Sequence, residues 1–291
     1  MSQFEAMASR RTYRRGRRRA VATMLVLGVG AGVLIGLVAS AGKDTYGARL
    51  LRYSISSRLV HQSLPQVGVI PAGNPTGPRP LLVFLHGKSE NDESNLVPEM
   101  FSALKALGSQ APDIVFPYGG EDSYWHDRSD GAWGEYVMRE VIPAAIRRLH
   151  ADPNRVAIGG LSMGGFGAYD LALKNPGAFC AVGGDSAALW RSGGETPAGA
   201  FDNAEDFSRN NVIAAARSGG DAYRATWLWL DVGDDDPFRA ADTEFARLLK
   251  ADALSVQFHI WPGGHESSYW DAHWHSYLSF YAHALASCRR S

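Results

Sequence analysis

The chain has 291 residues, 45% of them hydrophobic and 20% charged, and its formal net charge is −1. This length and hydrophobicity are enough for one α/β domain of ordinary size plus a short additional segment. Seven of the 29 basic residues but only one of the 30 acidic residues precede residue 43, so the body of the chain is mildly acidic. An acidic body argues against nucleic acid as a partner.

The first 42 residues combine a basic segment with an apolar one. Residues 1–19 hold the seven arginines, and residues 20–42 carry no charge. A run of about 20 apolar residues can cross a bilayer as a helix, and arginines keep their side of the membrane cytoplasmic. We therefore expect a transmembrane anchor with the body of the chain extracytoplasmic. The alternative is a signal sequence cleaved near Ala39-Ser40-Ala41, which would release a secreted protein.

The body alternates strands with helices. Residues 43–79 are predicted to be a linker and edge strands, and residues 80–291 a single α/β domain. Because helical segments separate consecutive strands, we expect a mostly parallel central sheet with helices on both faces. Residues 187–221 have weak periodicity and are predicted to be a loop or small cap. The predicted strands are 81–85, 113–116, 155–158, 179–182, 226–232 and 255–261, and the predicted helices are 97–107, 133–150, 164–173, 240–249 and 270–286.

The most informative motif is Gly160-x-Ser162-x-Gly164, which ends an apolar, β-branched run. A helical pattern follows it, so the motif has the strand, sharp turn and helix of a nucleophile elbow. Such a turn lifts the serine hydroxyl above the sheet, and glycines flank the serine because a Cβ would clash there. Ser162 is therefore the candidate nucleophile, and this context argues against a purely structural Gly-Ser-Gly turn.

A serine hydroxyl needs a base within hydrogen-bond reach and an acid that orients the base. His265 lies in a Pro-Gly-Gly-His loop after the last predicted strand, at the sheet edge where doubly wound folds build their sites. We predict that His265 is the base. The acid is expected among the three aspartates that follow strand 226–232. The spacing Gly-x-x-Asp favours Asp236, with Asp235 as the alternative.

The oxyanion formed during acyl transfer needs two backbone N–H donors. One is expected from Met163, the residue after the candidate nucleophile. The other is expected from Lys88, in the His86-Gly87-Lys88 loop after the first central strand. No phosphate loop and no metal-ligand spacing occurs in the sequence, so neither a cofactor nor a metal is expected.

Three tryptophans and two cysteines complete the candidate residues. Trp125, Trp133 and Trp270 are candidates for the walls of a substrate pocket, although packing in the core explains each of them equally well. Cys180 and Cys288 fit no metal site and could pair in an exported protein. Sequence alone does not show whether their Cα atoms come close enough.

Six segments spanning about residues 80–270 together form a recognisable pattern. They are Leu85-His-Gly87, Pro117-Tyr-Gly-Gly120-Glu-Asp-Ser123-Tyr-Trp125, Trp133-Gly-Glu-Tyr136, Gly160-Leu-Ser-Met-Gly164, Gly233-x-x-Asp236-x-Phe238 and Gly264-His265-x-x-x-Tyr269-Trp270. This pattern resembles the esterase D-like branch of the α/β-hydrolases, which includes S-formylglutathione hydrolases, feruloyl esterases and secreted mycolyltransferases. The resemblance implies an α/β-hydrolase fold with a triad of Ser162, Asp236 and His265. Mycolyltransferases use Glu as the acid and carry Asp-Gly where this chain has His86-Gly87, and both departures favour a hydrolase.

The sequence thus predicts an exported serine esterase that hydrolyses a small-molecule or lipid ester through an acyl-enzyme. One alternative is a cell-envelope acyltransferase, in which an alcohol replaces water as the acyl acceptor. A second is a non-catalytic envelope binding protein on the same scaffold. The candidate Ser, Asp and His in this order argue against the second alternative.

Overall fold

The computed structural model describes residues 44–288 apart from Asn74 and Gly220. The predicted basic segment 1–19 and the predicted membrane or signal segment 20–42 lie outside the described residues. Within the described part of the chain, no helix is both long and apolar enough to cross a membrane.

An eight-stranded sheet forms the centre of the domain, in the strand order β1-β2-β4-β3-β7-β8-β9-β10. Strands β4, β3, β7, β8, β9 and β10 run parallel to one another. Strand β2 runs antiparallel to its two neighbours, β1 and β4. The predicted, mostly parallel sheet is therefore confirmed. The strands are β1 (Arg49–Ser56), β2 (Ser63–Ile70), β3 (Leu81–Leu85), β4 (Asp113–Pro117), β7 (Val156–Leu161), β8 (Ala181–Asp185), β9 (Trp227–Gly233) and β10 (Val256–Trp261), with a separate small ladder of β5 (Asp127–Arg128) and β6 (Gly131–Ala132).

Helices cover both faces of this sheet, as the sequence predicts for a parallel sheet. In the fully buried strand β3, Leu82 and Phe84 face a cluster that contains side chains of α1 and α8. Leu81, Val83 and Leu85 face the opposite cluster, which contains side chains of α3, α4 and α7. The helices are α1 (Pro98–Ala106), α2 (Trp133–Tyr136), α3 (Ile142–Leu149), α4 (Met163–Lys174), α5 (Ala204–Arg209), α6 (Val212–Arg217), α7 (Arg239–Ala251) and α8 (Ser267–Ser287).

Two segments differ in detail from the sequence-based expectation. The predicted helix 133–150 is α2 and α3 joined by a π-helical turn, Val137–Val141, and it ends where His150 adopts a left-handed conformation with φ of 57°. Residues 187–221 contain α5 and α6, whose first turns are capped by the side chains of Asn203 and Asn211. These asparagine caps are local signals that periodicity does not capture.

A pair of carboxyl groups is buried where β8 and β9 end. Asp185 and Asp231 are register partners, and neither is exposed to solvent. The Asp231 carboxylate accepts hydrogen bonds from Trp229 Nε1 at 2.8 Å, Tyr269 Oη at 2.7 Å and Tyr277 Oη at 3.3 Å.

Asp185, in contrast, has no N–H or O–H donor among the described residues. Burial, reinforced by the neighbouring Asp231, raises the pKa of Asp185 well above its usual value. Asp185 is therefore the carboxyl of the pair that carries the proton, and it shares this proton with Asp231, whose carboxylate accepts three other hydrogen bonds. The carbonyl of Asp185 accepts the N–H of Ser162 at 2.9 Å, so this pair lies directly beneath the predicted elbow.

A disulfide bond joins Cys180, just before β8, to Cys288, just after α8. Their Cα atoms are 5.7 Å apart, and 108 residues separate them in sequence. The sequence leaves open whether Cys180 and Cys288 come close enough to pair. In the fold they do, because α8 returns across the sheet to the start of β8. The bond fixes the last helix of the domain to its central sheet.

Breaking this bond is expected to destabilise the fold by about 2–4 kcal/mol, because the unfolded chain loses a long covalent loop. Cys288→Ala should therefore lower the Tm in a thermal unfolding experiment. A reductant should lower the Tm of the wild type to the same extent and leave the variant unchanged. Equal Tm values for oxidised and reduced wild type would contradict the prediction.

The buried carboxyl pair predicts that Asp185→Asn raises the free energy of unfolding, by an amount that depends on pH. An unfolded Asp185 releases its proton above pH of about 4, whereas the folded state retains it, so this site costs more stability as the pH rises. Asn keeps a donor for Asp231 without a titrating proton. Urea unfolding at pH 5, 7 and 9 should give a stability gain that grows with pH. The exposed control Asp235→Asn should show no such trend, and a constant gain for Asp185→Asn would refute the shared proton.

Candidate active site

Ser162 occupies a strained turn between β7 and α4. Its φ of 51° and ψ of −111° lie outside the regions that side-chain-bearing residues usually adopt. A Cβ on Gly160 or on Gly164 would overlap the carbonyl oxygen of Leu85 in β3. Both glycines are therefore required by the close approach of β3, and the predicted strand–turn–helix is observed.

Two hydrogen bonds connect Ser162 to His265 and Asp236. His265 Nε2 lies 2.8 Å from Ser162 Oγ, and His265 Nδ1 lies 2.9 Å from Asp236 Oδ2. The other carboxylate oxygen of Asp236 accepts the Phe238 N–H at 2.7 Å. Because a carboxylate can only accept, Nδ1 carries the proton and Nε2 is free to accept the serine proton.

The three neighbouring aspartates have different environments. Asp236 is buried, whereas the side chains of Asp234 and Asp235 are exposed. Asp234 accepts the Gly263 N–H at 3.0 Å, and the Asp235 N–H donates to the Gly263 carbonyl at 2.9 Å. The aspartate turn is thereby attached to the loop that carries His265. Asp236, favoured by its spacing, is the aspartate that contacts the histidine.

The loop after β3 is held by His86 and Glu90. The Gly119 N–H donates to His86 Nε2 at 3.1 Å, so the Nδ1 proton donates to the Gly87 carbonyl at 2.7 Å. Burial lowers the pKa of His86 to about 4, which makes this side chain neutral at pH 7. Glu90 accepts the Gly87 N–H at 2.8 Å, and its own N–H donates to the Gly87 carbonyl at 3.3 Å.

This network orients the peptide between Gly87 and Lys88. In a trans peptide the carbonyl and the following N–H point in opposite directions. Since the Gly87 carbonyl faces His86 and Glu90, the Lys88 N–H faces away from them. Among the described residues, no acceptor is found for the Lys88 N–H or for the Met163 N–H at the start of α4. Both predicted oxyanion donors are thus without an internal partner.

A cavity of about 540 Å³ opens above Ser162 and His265. Its aromatic lining is Tyr124, Trp190, Phe238 and Trp270, and its charged lining is Lys88, Glu90 and Glu266. The rings of Phe238 and Trp270 lie 5.1 and 5.0 Å from the His265 ring, so the imidazole is packed between them. Trp270 therefore lies where the sequence analysis expects it.

The expectation for Trp125 and Trp133 requires correction, because both are buried in the core and neither lines this cavity. Trp125 fills the space left by Gly119 and Gly167, where a Cβ would overlap its ring. Its indole N–H donates to the His86 carbonyl at 3.2 Å. Trp125 thus supports the loop after β3 from behind.

Three aromatic residues and one carboxylate of the cavity are not among the predicted site residues. Tyr124 and Phe238 lie within segments that the motifs single out, so these motifs were a usable signal for them. Trp190 lies in the weakly periodic stretch 187–221 and has no motif of its own. Glu90 is recognised only through its contact with Gly87, which depends on the folded loop.

Comparison with known proteins identifies the family of the chain. The Esterase family model matches residues 60–279. An iron(III) enterobactin esterase of Dickeya dadantii (strain 3937) is 26% identical over 205 residues, which are 66% of this chain and 45% of that protein, so the match spans less than half of that relative.

Solved structures share the fold. A ferulic acid esterase has a TM-score of 0.73 at 21% identity, covering 82% of this chain and 98% of that chain. An S-formylglutathione hydrolase from Agrobacterium tumefaciens has a TM-score of 0.71 at 19% identity, covering 82% and 96%. The resemblance to the esterase D-like α/β-hydrolases is confirmed, and the chain belongs to the Esterase family.

Proposed function

We propose that this protein is an exported, membrane-tethered serine esterase that works through an acyl-enzyme on Ser162. The observation that carries the proposal is the hydrogen-bonded chain from Ser162 through His265 to Asp236 at the base of an open cavity. Nucleophile, base and orienting acid are within hydrogen-bond distance of one another, which is the geometry that activates a serine hydroxyl.

In the first half-reaction, Ser162 Oγ attacks the ester carbonyl carbon while His265 Nε2 takes the hydroxyl proton. Asp236 holds the imidazole and stabilises its positive charge. The Met163 and Lys88 N–H groups donate to the oxyanion, and the positive end of the α4 dipole adds to this stabilisation. The carbon–oxygen bond to the leaving alcohol then breaks, and His265 protonates that oxygen.

In the second half-reaction, water attacks the acyl-enzyme and His265 accepts its proton. The acid product leaves as the bond to Ser162 Oγ breaks, and the serine recovers its proton from His265. An alcohol in place of water would give acyl transfer through the same steps. Measuring free acid against acylated alcohol in the presence of added alcohols separates the two reactions.

The cavity lining supports an ester with a flat apolar group. Tyr124 and Trp190 have ring centroids 5.3 Å apart, and Trp190 and Phe238 are 5.9 Å apart, so these rings form one aromatic wall beside Ser162. Aromatic walls bind aromatic groups by offset and edge-to-face contacts. A structural relative is named as a ferulic acid esterase, which is consistent with an aromatic acyl group.

Export and tethering are supported by two features. Residues 20–42 are uncharged and long enough to span a bilayer, with seven arginines before them. The Cys180–Cys288 disulfide belongs to the chemistry of oxidising compartments outside the cytoplasm. Together these two features support a reaction at the outer side of the membrane.

A fluorophosphonate probe tests whether Ser162 is activated. The full chain should gain one adduct by intact mass, because the activated oxygen displaces fluoride from phosphorus. Ser162→Ala should gain none. Ser267→Ala is the matched control, since Ser267 lines the same cavity, and it should label like the wild type. Absence of an adduct on folded wild type would refute the proposal.

The choice of acid is tested by two neighbouring substitutions. Asp236→Asn should lower kcat/KM for a chromogenic aryl ester by about 10²- to 10⁴-fold, because an amide at this position disfavours the productive tautomer of His265. Asp235→Asn should retain activity close to the wild type, since its side chain is exposed. Similar losses in both variants would argue against Asp236 as the orienting acid.

A further inference from the structure

A second cavity lies at the opposite edge of the sheet from Ser162. Its volume is about 440 Å³, and it is formed where β1 begins, β2 ends and the chain enters β3 and β4. Its apolar floor is made of Leu50, Leu51, Ile70 and Leu149. Since β3 runs from this cavity towards the loop after Leu85, the catalytic and the second cavity are at different ends of the same strand.

The walls of this cavity are basic. Arg49, Arg79 and Arg148 line it together with a single carboxylate, Asp113, and with His150. The guanidinium carbon of Arg148 lies 4.7 Å from the centre of the Tyr53 ring, which orients this side chain. The charged side chains of the lining therefore carry a net charge of +2, from three arginines and one aspartate, and they lie beside an apolar floor. This combination suits a ligand with an anionic group and an apolar chain.

Arg79 is the central residue of the cavity. Only 8% of it is exposed, and its Nη2 donates to the Ala72 and Gly73 carbonyls at 3.4 and 3.2 Å. Its Nη1 lies 3.9 Å from Asp113 Oδ1, which is too long for a hydrogen bond.

Hydrogen-bonding capacity consequently remains unused around Arg79. Its Nε and Asp113 Oδ1 are buried without partners among the described residues. Burial raises the pKa of Asp113 to about 6, so this carboxyl is easily neutralised and opposes an anion only weakly in mildly acid solution. Buried polar groups are normally satisfied, and an anion in the cavity would supply the missing acceptor for the guanidinium.

We propose that this cavity binds the phosphate of an anionic phospholipid, with the guanidinium groups on the phosphate and the leucine floor against the start of an acyl chain. Arginine binds phosphate through paired, charge-assisted hydrogen bonds. The proposal rests on the proposed membrane tether for its source of lipid, because only six residues separate the apolar segment from Arg49.

The test uses the full chain in micelles of an uncharged detergent. Dihexanoylphosphatidylglycerol should raise the Tm in a saturable way, because a ligand that binds only the folded state stabilises it. Dihexanoylphosphatidylcholine and inorganic phosphate should give at most a small shift. The ligand concentration at half of the maximal Tm shift is the midpoint of the titration. Equal midpoints for phosphatidylglycerol and either of the other two ligands would overturn the proposal, because the site would then show no preference for an anionic lipid.

Substitutions of three arginines test whether the lipid binds in this cavity. Arg148→Gln and Arg79→Gln should each raise the midpoint of the phosphatidylglycerol titration by about tenfold, the loss of one hydrogen-bonded charge. Arg148 is exposed, so its variant remains informative if Arg79→Gln impairs folding. Arg147→Gln, exposed on the same helix but outside the cavity lining, is the control and should titrate like the wild type. Equal effects of Arg147→Gln and Arg148→Gln would refute the site.

Esterase turnover and fluorophosphonate labelling are measured on the same samples. Arg148→Gln should keep both at the wild-type level, since Arg148 lies on α3 and does not line the catalytic cavity. Absence of a lipid shift on the wild type with intact labelling contradicts only the lipid site. Absence of labelling on the wild type with an intact lipid shift contradicts only the proposed function.

Discussion

The approach of β3 to the turn after β7 is the constraint on which the rest of the site depends. The carbonyl oxygen of Leu85 fills the space where Gly160 and Gly164 lack side chains, and this leaves Ser162 in a conformation that a free chain would avoid. Such strain persists only where the surroundings determine it. Here the Ser162 N–H is bound by the Asp185 carbonyl, and its own carbonyl accepts the Ala188 N–H at 2.9 Å.

The same strand carries the constraint to the oxyanion loop. Directly after Leu85, the chain turns through His86 and Gly87, whose groups are bound by Gly119, Trp125 and Glu90. Strand β3, which lies against the turn of Ser162, thus also sets the direction of the Lys88 N–H. A small displacement of β3 would therefore disturb the nucleophile and one oxyanion donor together.

Local patterns in the sequence predicted the parts of the site that backbone geometry dictates. The glycines around Ser162 mark a turn so tight that β3 can approach it closely, and this turn has a recognisable local motif. The loop of His265 follows a strand whose apolar run is easily recognised. Asp236 was separable from Asp235 only by spacing, and in the fold Asp236 is the one that is buried and contacts His265. Strand positions in β3 and β4 were predicted closely because both faces are covered, which gives continuous apolar runs.

The remaining features depend on contacts between distant segments, which no local pattern encodes. Trp125 and Trp190 are both large aromatic residues, yet Trp125 fills the gap left by Gly119 and Gly167 whereas Trp190 lines the cavity. The burial of Trp125 thus depends on glycines that face it in the fold, not on its own neighbours in sequence. The pairing of Cys180 with Cys288 likewise depends on the path of α8 across the sheet.

Helix α8 connects the active site to the core and to the disulfide along its length. In its first turn, Trp270 packs beside His265, and Tyr269 donates a hydrogen bond to Asp231. About two turns further along, Tyr277 donates to the same carboxylate, and Cys288 follows the last turn. Since the helix is bound at its start, middle and end, the wall of the cavity formed by Trp270 is held by the interior of the protein. The position of Trp270 beside His265 therefore depends on buried hydrogen bonds that α8 makes far from the cavity.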